Sequence, residues 1–270
     1  LLPVWSLGVR KIPKMKSADV VKIMSIAALH TIGHFGAVLS MNAGAVSFTH
    51  IVKAAEPVFS TVLSGMILGT WAPAVVNLTL VPVMAGVIMA SFGGLEFNWA
   101  AFAGAMVSNL AFALRSIYMK KVLADKKDCE AKNLDSANIY AVYTIFSFML
   151  SIPLALFFEG QTLMEGWSTT VTAEVSVNEI VKLNLITGLF FYLYNESASL
   201  ALGNLNAVAH AVCNTVKRVV IMIAVNVYFM KPMSQQQTIG STIAIGGTLL
   251  YALVKNSVTS KAATTEKKKN

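Results

Sequence analysis

The chain has 270 residues, is 56% hydrophobic and 13% charged, and carries a net charge of +8 with a mean hydropathy of +0.65. A soluble domain is about 25% charged. The apolar residues here also fall in runs of ~18 or more, enough to cross ~30 Å of hydrocarbon as a helix, so a water-soluble globular protein is excluded. The basic surplus reads as juxtamembrane Lys and Arg that set topology, not as a nucleic-acid-binding face.

Taken in chain order, the apolar run at Leu1 to Leu7 is too short to span and meets Arg10, Lys11, Lys14 and Lys16 at once. It reads as the end of a helix whose beginning, with any transit peptide, is missing. Val20 to Val46 is the first complete span and carries His30 and His34; Ser47 to Leu68 is the second, with Lys53 and Glu56. Ala74 to Phe92 has no charge. Trp99 to Val122 holds Arg115 in its last turns, and a solvated loop with Asp125, Lys126, Lys127, Asp128 and Glu130 follows. Ser136 to Phe158 is the fifth span, and a polar stretch from Gly160 to Glu179 leads to the sixth, Ile180 to Leu202. Asn206 to Met230 is interrupted by Lys217 and Arg218; Gln237 to Lys255 is the last span. The tail, Asn256 to Asn270, is basic and expected to be disordered. Membrane β-strands would be about ten residues of strict alternation; these runs are twice that and often apolar on every side. The expected fold class is therefore an all-α integral membrane protein, with eight spans complete.

A shift of 160 residues places His50 on His210, Gly86 on Gly246 and His34 on Tyr194. Many transporters consist of two related halves with substrate bound at the repeat interface. A second half from 99 to 255 would hold five spans, and 1–92 would be the remainder of the first, within one transmembrane domain, 1–255.

Ionisable groups at membrane depth cost at least about 2.5–3.5 kcal/mol each and mark substrate paths or ion pairs. Lys53, Arg115, Lys217 and Arg218 all lie inside apolar spans, and snorkelling rescues a cation only near a helix end. Glu56 and Glu196 can offset two of the four, leaving a positive surplus. A phosphate monoester brings about −1.5 to −2 charges and three acceptor oxygens. Arg218 can grip two oxygens as a fork while lysines act as point charges; chloride or a monocarboxylate would leave charge over. Glu196 itself reads as the partner of a cation.

His30 and His34 share a helix face at i, i+4, but no carboxylate or thiol stands at a spacing that completes a metal site. One reads as a polar pocket wall, the other as a packed, hydrogen-bonded group. His50 and His210 read as structural. Tyr192 and Tyr194 face different directions, so one can reach a cavity while the other packs. Cys129 and Cys213 have no metal or disulfide-framework spacing, and no Walker motif suggests nucleotide coupling. No metal or cofactor is expected.

The run Ser47-Phe48-Thr49-His50-Ile51-Val52-Lys53-Ala54-Ala55-Glu56-Pro57-Val58-Phe59 resembles the signature of the plastidic sugar-phosphate/phosphate translocators, in the drug/metabolite transporter superfamily. So do Gly33-His34, Ser108-Asn109-Leu110-Ala111-Phe112 with Arg115, Tyr194-Asn195, and Asn214-Thr215-Val216-Lys217-Arg218. The likeness extends from about Ser17 to Lys255. It implies ten helices in two inverted five-helix halves. It also implies counter-exchange of inorganic phosphate for a phosphorylated sugar or three-carbon acid across the plastid inner envelope, without chemical turnover. It puts the phosphate clamp on Lys53, Lys217 and Arg218, the carbon-skeleton pocket on His34 and Tyr194, and a further functional cation at Arg115. Ala37 stands where the triose-phosphate branch has a hydroxyl residue, and the run from Gly33 to Met41 is closer to the glucose-6-phosphate and pentose-phosphate branches. Glu196 stands where a Gln is common. A rival reading is a nucleotide-sugar exchanger of Golgi or ER membranes, for which the tail Lys267-Lys268-Lys269-Asn270 resembles a dilysine retrieval signal. An intramembrane enzyme is the weaker rival, because Glu56 and Glu196 are too isolated to form a catalytic constellation.

Overall fold

The computed structural model describes residues 5, 6, 8, 10–92, 97–170, 176–204, 207–228, 230 and 233–267, with side chains placed except at 161–164, 170, 198–204, 207–215 and 261–267. The described residues are helical and contain no strand. The helices are α1 (Ser17–Ala43), α2 (Val46–Leu68), α3 (Ala74–Phe92), α4 (Trp99–Leu123), α5 (Lys126–Ala131), α6 (Ser136–Thr170), α7 (Val177–Asn204), α8 (Ala207–Tyr228) and α9 (Gln235–Lys267). Among the described residues, six helices are long and apolar enough to cross a membrane: α1, α2, α3, α4, and the Ser136–Gly160 and Gln235–Ser260 parts of α6 and α9. The expected sixth and seventh spans are present as the helices α7 and α8.

Three expectations need adjustment. The stretch after Phe158 is not a linker throughout, since α6 continues to Thr170. The solvated loop contains α5, capped where the Asp125 carboxylate accepts from the Asp128 amide at 3.1 Å. The tail expected as disordered from Asn256 is helical as far as Lys267. It has no Gly or Pro in that stretch to stop the helix.

Prolines explain the breaks. Pro57 has no N–H to donate to the Lys53 carbonyl. The α-helical ladder lapses into a 3₁₀ turn over Lys53–Ala55, where the Glu56 amide takes the Lys53 carbonyl instead. Pro82 likewise cannot bond the carbonyl of Leu78. The helix pauses at Thr79, whose amide and hydroxyl both donate to Val76 O, at 3.2 and 2.6 Å.

The chain divides into two compact units, Leu1–Thr31 with Val122–Asn204, and Ile32–Lys121 with Leu205–Asn270. In the first, the segment before α1 is stitched to the loop before α6. Trp5 Nε1 donates to Asn138 Oδ1, Asn138 Nδ2 to the Lys11 carbonyl, and Asn133 Nδ2 to the Ile12 carbonyl, at 3.0, 3.0 and 3.1 Å. Lys132 bridges Asp19 at 2.9 Å and Asp128 at 2.6 Å.

In the second unit, small residues let backbones meet, as is usual where lipid offers no hydrophobic drive between helices. A Cβ on Gly36 would stand 2.8 Å from the Gly104 carbonyl, and one on Gly86 2.4 Å from the Ala244 nitrogen. The first contact draws α1 onto α4; the second draws α3 onto α9. Ser40 fixes the first crossing by donating to Ala101 O at 2.7 Å. Between these pairs, α2 contributes Phe48 and Val52 to a cluster with Ala101 and Ala105, and Ala54 and Ala55 to another with Val87 and Ala244.

Candidate functional site

The break that Pro57 imposes falls on Lys53. Two residues of α4 attend to it. Asn109, fully buried, donates its amide to the Val52 carbonyl at 2.9 Å and so braces the backbone where the 3₁₀ turn begins. Ser108 accepts from Lys53 Nζ at 2.6 Å. One turn further along α4 the ring of Phe112 lies under the same ammonium, its centroid 4.4 Å from Nζ. Arg115 Cζ stands 4.8 Å from the same centroid. Ser108, Phe112 and Arg115 follow an i, i+4, i+7 spacing and so share one helix face.

His34 meets the Phe112 ring edge-to-face, centroids 5.2 Å apart. Its neighbour Gly33 makes this possible, because a Cβ there would come within 2.8 Å of the Phe112 ring. Ala37, one turn on, is buried. Arg218 on α8 donates from Nη2 to Glu56 Oε2 at 3.3 Å, and both side chains are partly exposed, 16% and 30%. Glu56, Arg218, Arg115 and Lys217 all act electrostatically on Lys53, and Arg218, Lys53 and Lys217 act on His50.

Six of the sequence-predicted site residues thus fall in the second unit: His34, Ala37, Lys53, Arg115, Lys217 and Arg218. Tyr194 belongs to the first and is 45% exposed on α7. His30 is the packed member of the histidine pair, buried and edge-to-face on Tyr143 at 4.9 Å. His210 lies outside the described side chains. No group of three His, Cys, Asp or Glu that could hold a metal occurs among the described residues. A cavity of about 680 Å³ opens in the first unit beside Arg10, Lys126, Cys129 and Asn138; none of the predicted site residues lines it.

The charge count shifts in one respect. Glu196 pairs with Arg10, outside the four cations it was set against. Glu56 is left as the one carboxylate, among the described side chains of the second unit, to face Lys53, Arg115, Lys217 and Arg218. Two positions were quoted in the sequence only as motif and carry more than that. Ser108 and Phe112 hold the lysine, and their signal was a hydroxyl, an aromatic ring and an arginine on one stripe of an apolar helix.

A family model described as the Triose-phosphate Transporter family matches residues 1–252. The chain is 38% identical over 251 residues to a chloroplastic triose phosphate/phosphate translocator of Zea mays, covering 93% of this chain and 59% of that protein. It is 35% identical over 252 residues to a chloroplastic xylulose 5-phosphate/phosphate translocator of Arabidopsis thaliana, covering 93% and 59%. With a chloroplastic phosphoenolpyruvate/phosphate translocator 3 of Oryza sativa subsp. japonica it shares 36% over 251 residues, covering 93% and 62%. The chain therefore spans about three fifths of the length of these curated relatives.

Proposed function

We propose, from the premise that this chain belongs to the triose-phosphate transporter family, that it exchanges inorganic phosphate for a phosphorylated sugar or three-carbon phosphate by alternating access in the plastid inner envelope. The observation that carries the proposal is the gathering of Lys53 and Arg115 on one aromatic ring while Arg218 sits against the single described carboxylate of its unit, Glu56. A concentration of positive charge at membrane depth is stabilised by a dianion and by little else. Lys53, Lys217 and Arg218 would take the phosphate. Arg115 would add positive charge, and His34, Ala37 and Tyr194 would bound the carbon skeleton. The relatives' names, which join phosphate to triose phosphate, xylulose 5-phosphate or phosphoenolpyruvate, support this class of substrate. They also support transport rather than chemical turnover.

The coupling follows from electrostatics. Closing such a site around a surplus of cations is costly, because removing each from water costs several kcal/mol and Glu56 is the described carboxylate among them. A bound dianion cancels the repulsion, so the occluded state is reached only when loaded. That gives one-for-one exchange without a nucleotide. In the same reading the halves 1–92 and 99–255 are related by the 160-residue offset, with His34 and Tyr194 at matching positions.

The test is reconstitution in liposomes loaded with phosphate, with triose phosphate, glucose 6-phosphate, xylulose 5-phosphate or phosphoenolpyruvate offered outside. Lys217→Ala and Arg218→Ala are expected to abolish exchange while the protein stays folded. Full exchange by both would overturn the proposal.

A further inference from the structure

We infer that Phe112 is a positioning residue for anion binding. Its ring lies within cation–π range of both Lys53 and Arg115, and so sets how tightly the two grip a phosphate. The inference rests on the exchange reading above and deepens it.

The argument starts from what two neighbouring cations need. A lysine has a flexible four-carbon stem and rotamer entropy to lose when it is fixed. A carboxylate partner could fix it, but would also neutralise it and repel the incoming anion. An aromatic face attracts a cation through its quadrupole without carrying net charge. Phe112 offers this to Lys53 at 4.4 Å and to Arg115 at 4.8 Å.

The surroundings hold the ring to that task. Gly33 clears the space it occupies, and His34 fixes its tilt with an 84° edge contact. Ser108, one turn earlier on α4, holds Lys53 Nζ from a second direction at 2.6 Å. The lysine is thus oriented by a hydroxyl and a ring, both neutral, while Glu56 acts on it electrostatically. Ordering done beforehand is ordering the ligand need not supply, which is the general route from rigidity to affinity.

The experiment replaces Phe112 with phenylalanines carrying one, two and three ring fluorines in the reconstituted full chain, with phosphate exchange as the readout. Fluorine weakens the quadrupole stepwise and barely alters shape. The expected result is a KM for phosphate that climbs with each fluorine, to roughly tenfold for the trifluoro ring, a size set by two weakened cation–π contacts. Vmax should stay within about twofold, because the charges themselves remain. Phe112→Tyr should retain wild-type KM, and Phe112→Leu should match or exceed the trifluoro ring. A flat KM across the fluorine series, with wild-type exchange intact, would refute the inference and leave the exchange reading standing. A wild-type protein that exchanges nothing would remove both.

Discussion

The two units handle buried charge in opposite ways. In the first, cations meet carboxylates: Arg10 pairs with Glu196, and Lys132 has both Asp19 and Asp128. In the second, Arg218 pairs with Glu56, the one carboxylate among that unit's described side chains, and what grips Lys53 is a hydroxyl and a ring. Paired charge is a fastener; it ties the segment before α1 to the loops and helices that follow. Charge held by neutral groups can be fixed as firmly, since a hydrogen bond to a charged group is worth about 1.5–3 kcal/mol, but that grip brings no opposite charge. The charge stays available to an anion instead.

The largest expected effect comes from removing the same chemistry from each unit. Lys53→Gln should lower phosphate exchange about 100-fold, the loss of one charge-assisted contact to a dianion, with little change in melting. Lys132→Gln should lower the melting midpoint in detergent and leave exchange within about twofold. Lys132 has its pKa raised first by its hydrogen bond to Asp128 and then by the one to Asp19. A raised pKa contributes stability at ordinary pH that disappears only above the usual lysine range. The comparison breaks if Lys132→Gln stops exchange or if Lys53→Gln only unfolds the protein.

At Arg10 the expected effect is on stability. Arg10→Ala leaves Glu196 enclosed without its partner, and both side chains are mostly buried, at 19% and 13% exposure. Breaking one side of such a pair costs about 3–5 kcal/mol, with the lower end expected here because neither group is fully enclosed. Replacing both, Arg10→Met with Glu196→Leu, should recover most of that loss. Thermal melting of the two variants checks it, with KM for phosphate as the second readout. A changed KM with unchanged melting would move Glu196 from fastener to site.

Much of this was legible in the chain. Apolar runs bounded by Gly, Pro and charge gave the spans to within a few residues, since a membrane helix must be apolar over a fixed length. The cations stood out because charge in that setting is costly. What the sequence could not give was partnership. Arg10 and Glu196 are 186 residues apart, and nothing local marks them as a pair. Phe112 was hidden for a different reason. A phenylalanine on an apolar helix reads as packing until the neighbouring helix supplies the ammonium, and its stripe with Ser108 and Arg115 was the signal available. The 3₁₀ turn at Lys53 lay between these cases: Pro57 was in plain sight, and its missing N–H dictates which carbonyl goes unpaired.

The smallest predicted effect separates packing from repeat. Gly86 and Gly246 coincide under the 160-residue shift. A Cβ on Gly86 would meet Ala244 N at 2.4 Å and Gly240 O at 2.6 Å, backbone atoms that no rotamer change can clear. Gly246, within α9, has nothing within 4 Å of its would-be Cβ. Gly86→Ala should therefore force α3 from α9 and cost about 1–3 kcal/mol. Gly246→Ala should leave stability unchanged or raise it by up to about 1 kcal/mol through helix propensity. Opposite signs in paired melting curves would mean that the two positions, matched by the offset, do not share a contact. Equal losses would mean that Gly246 also lies at a close crossing, one formed against a surface outside the described chain.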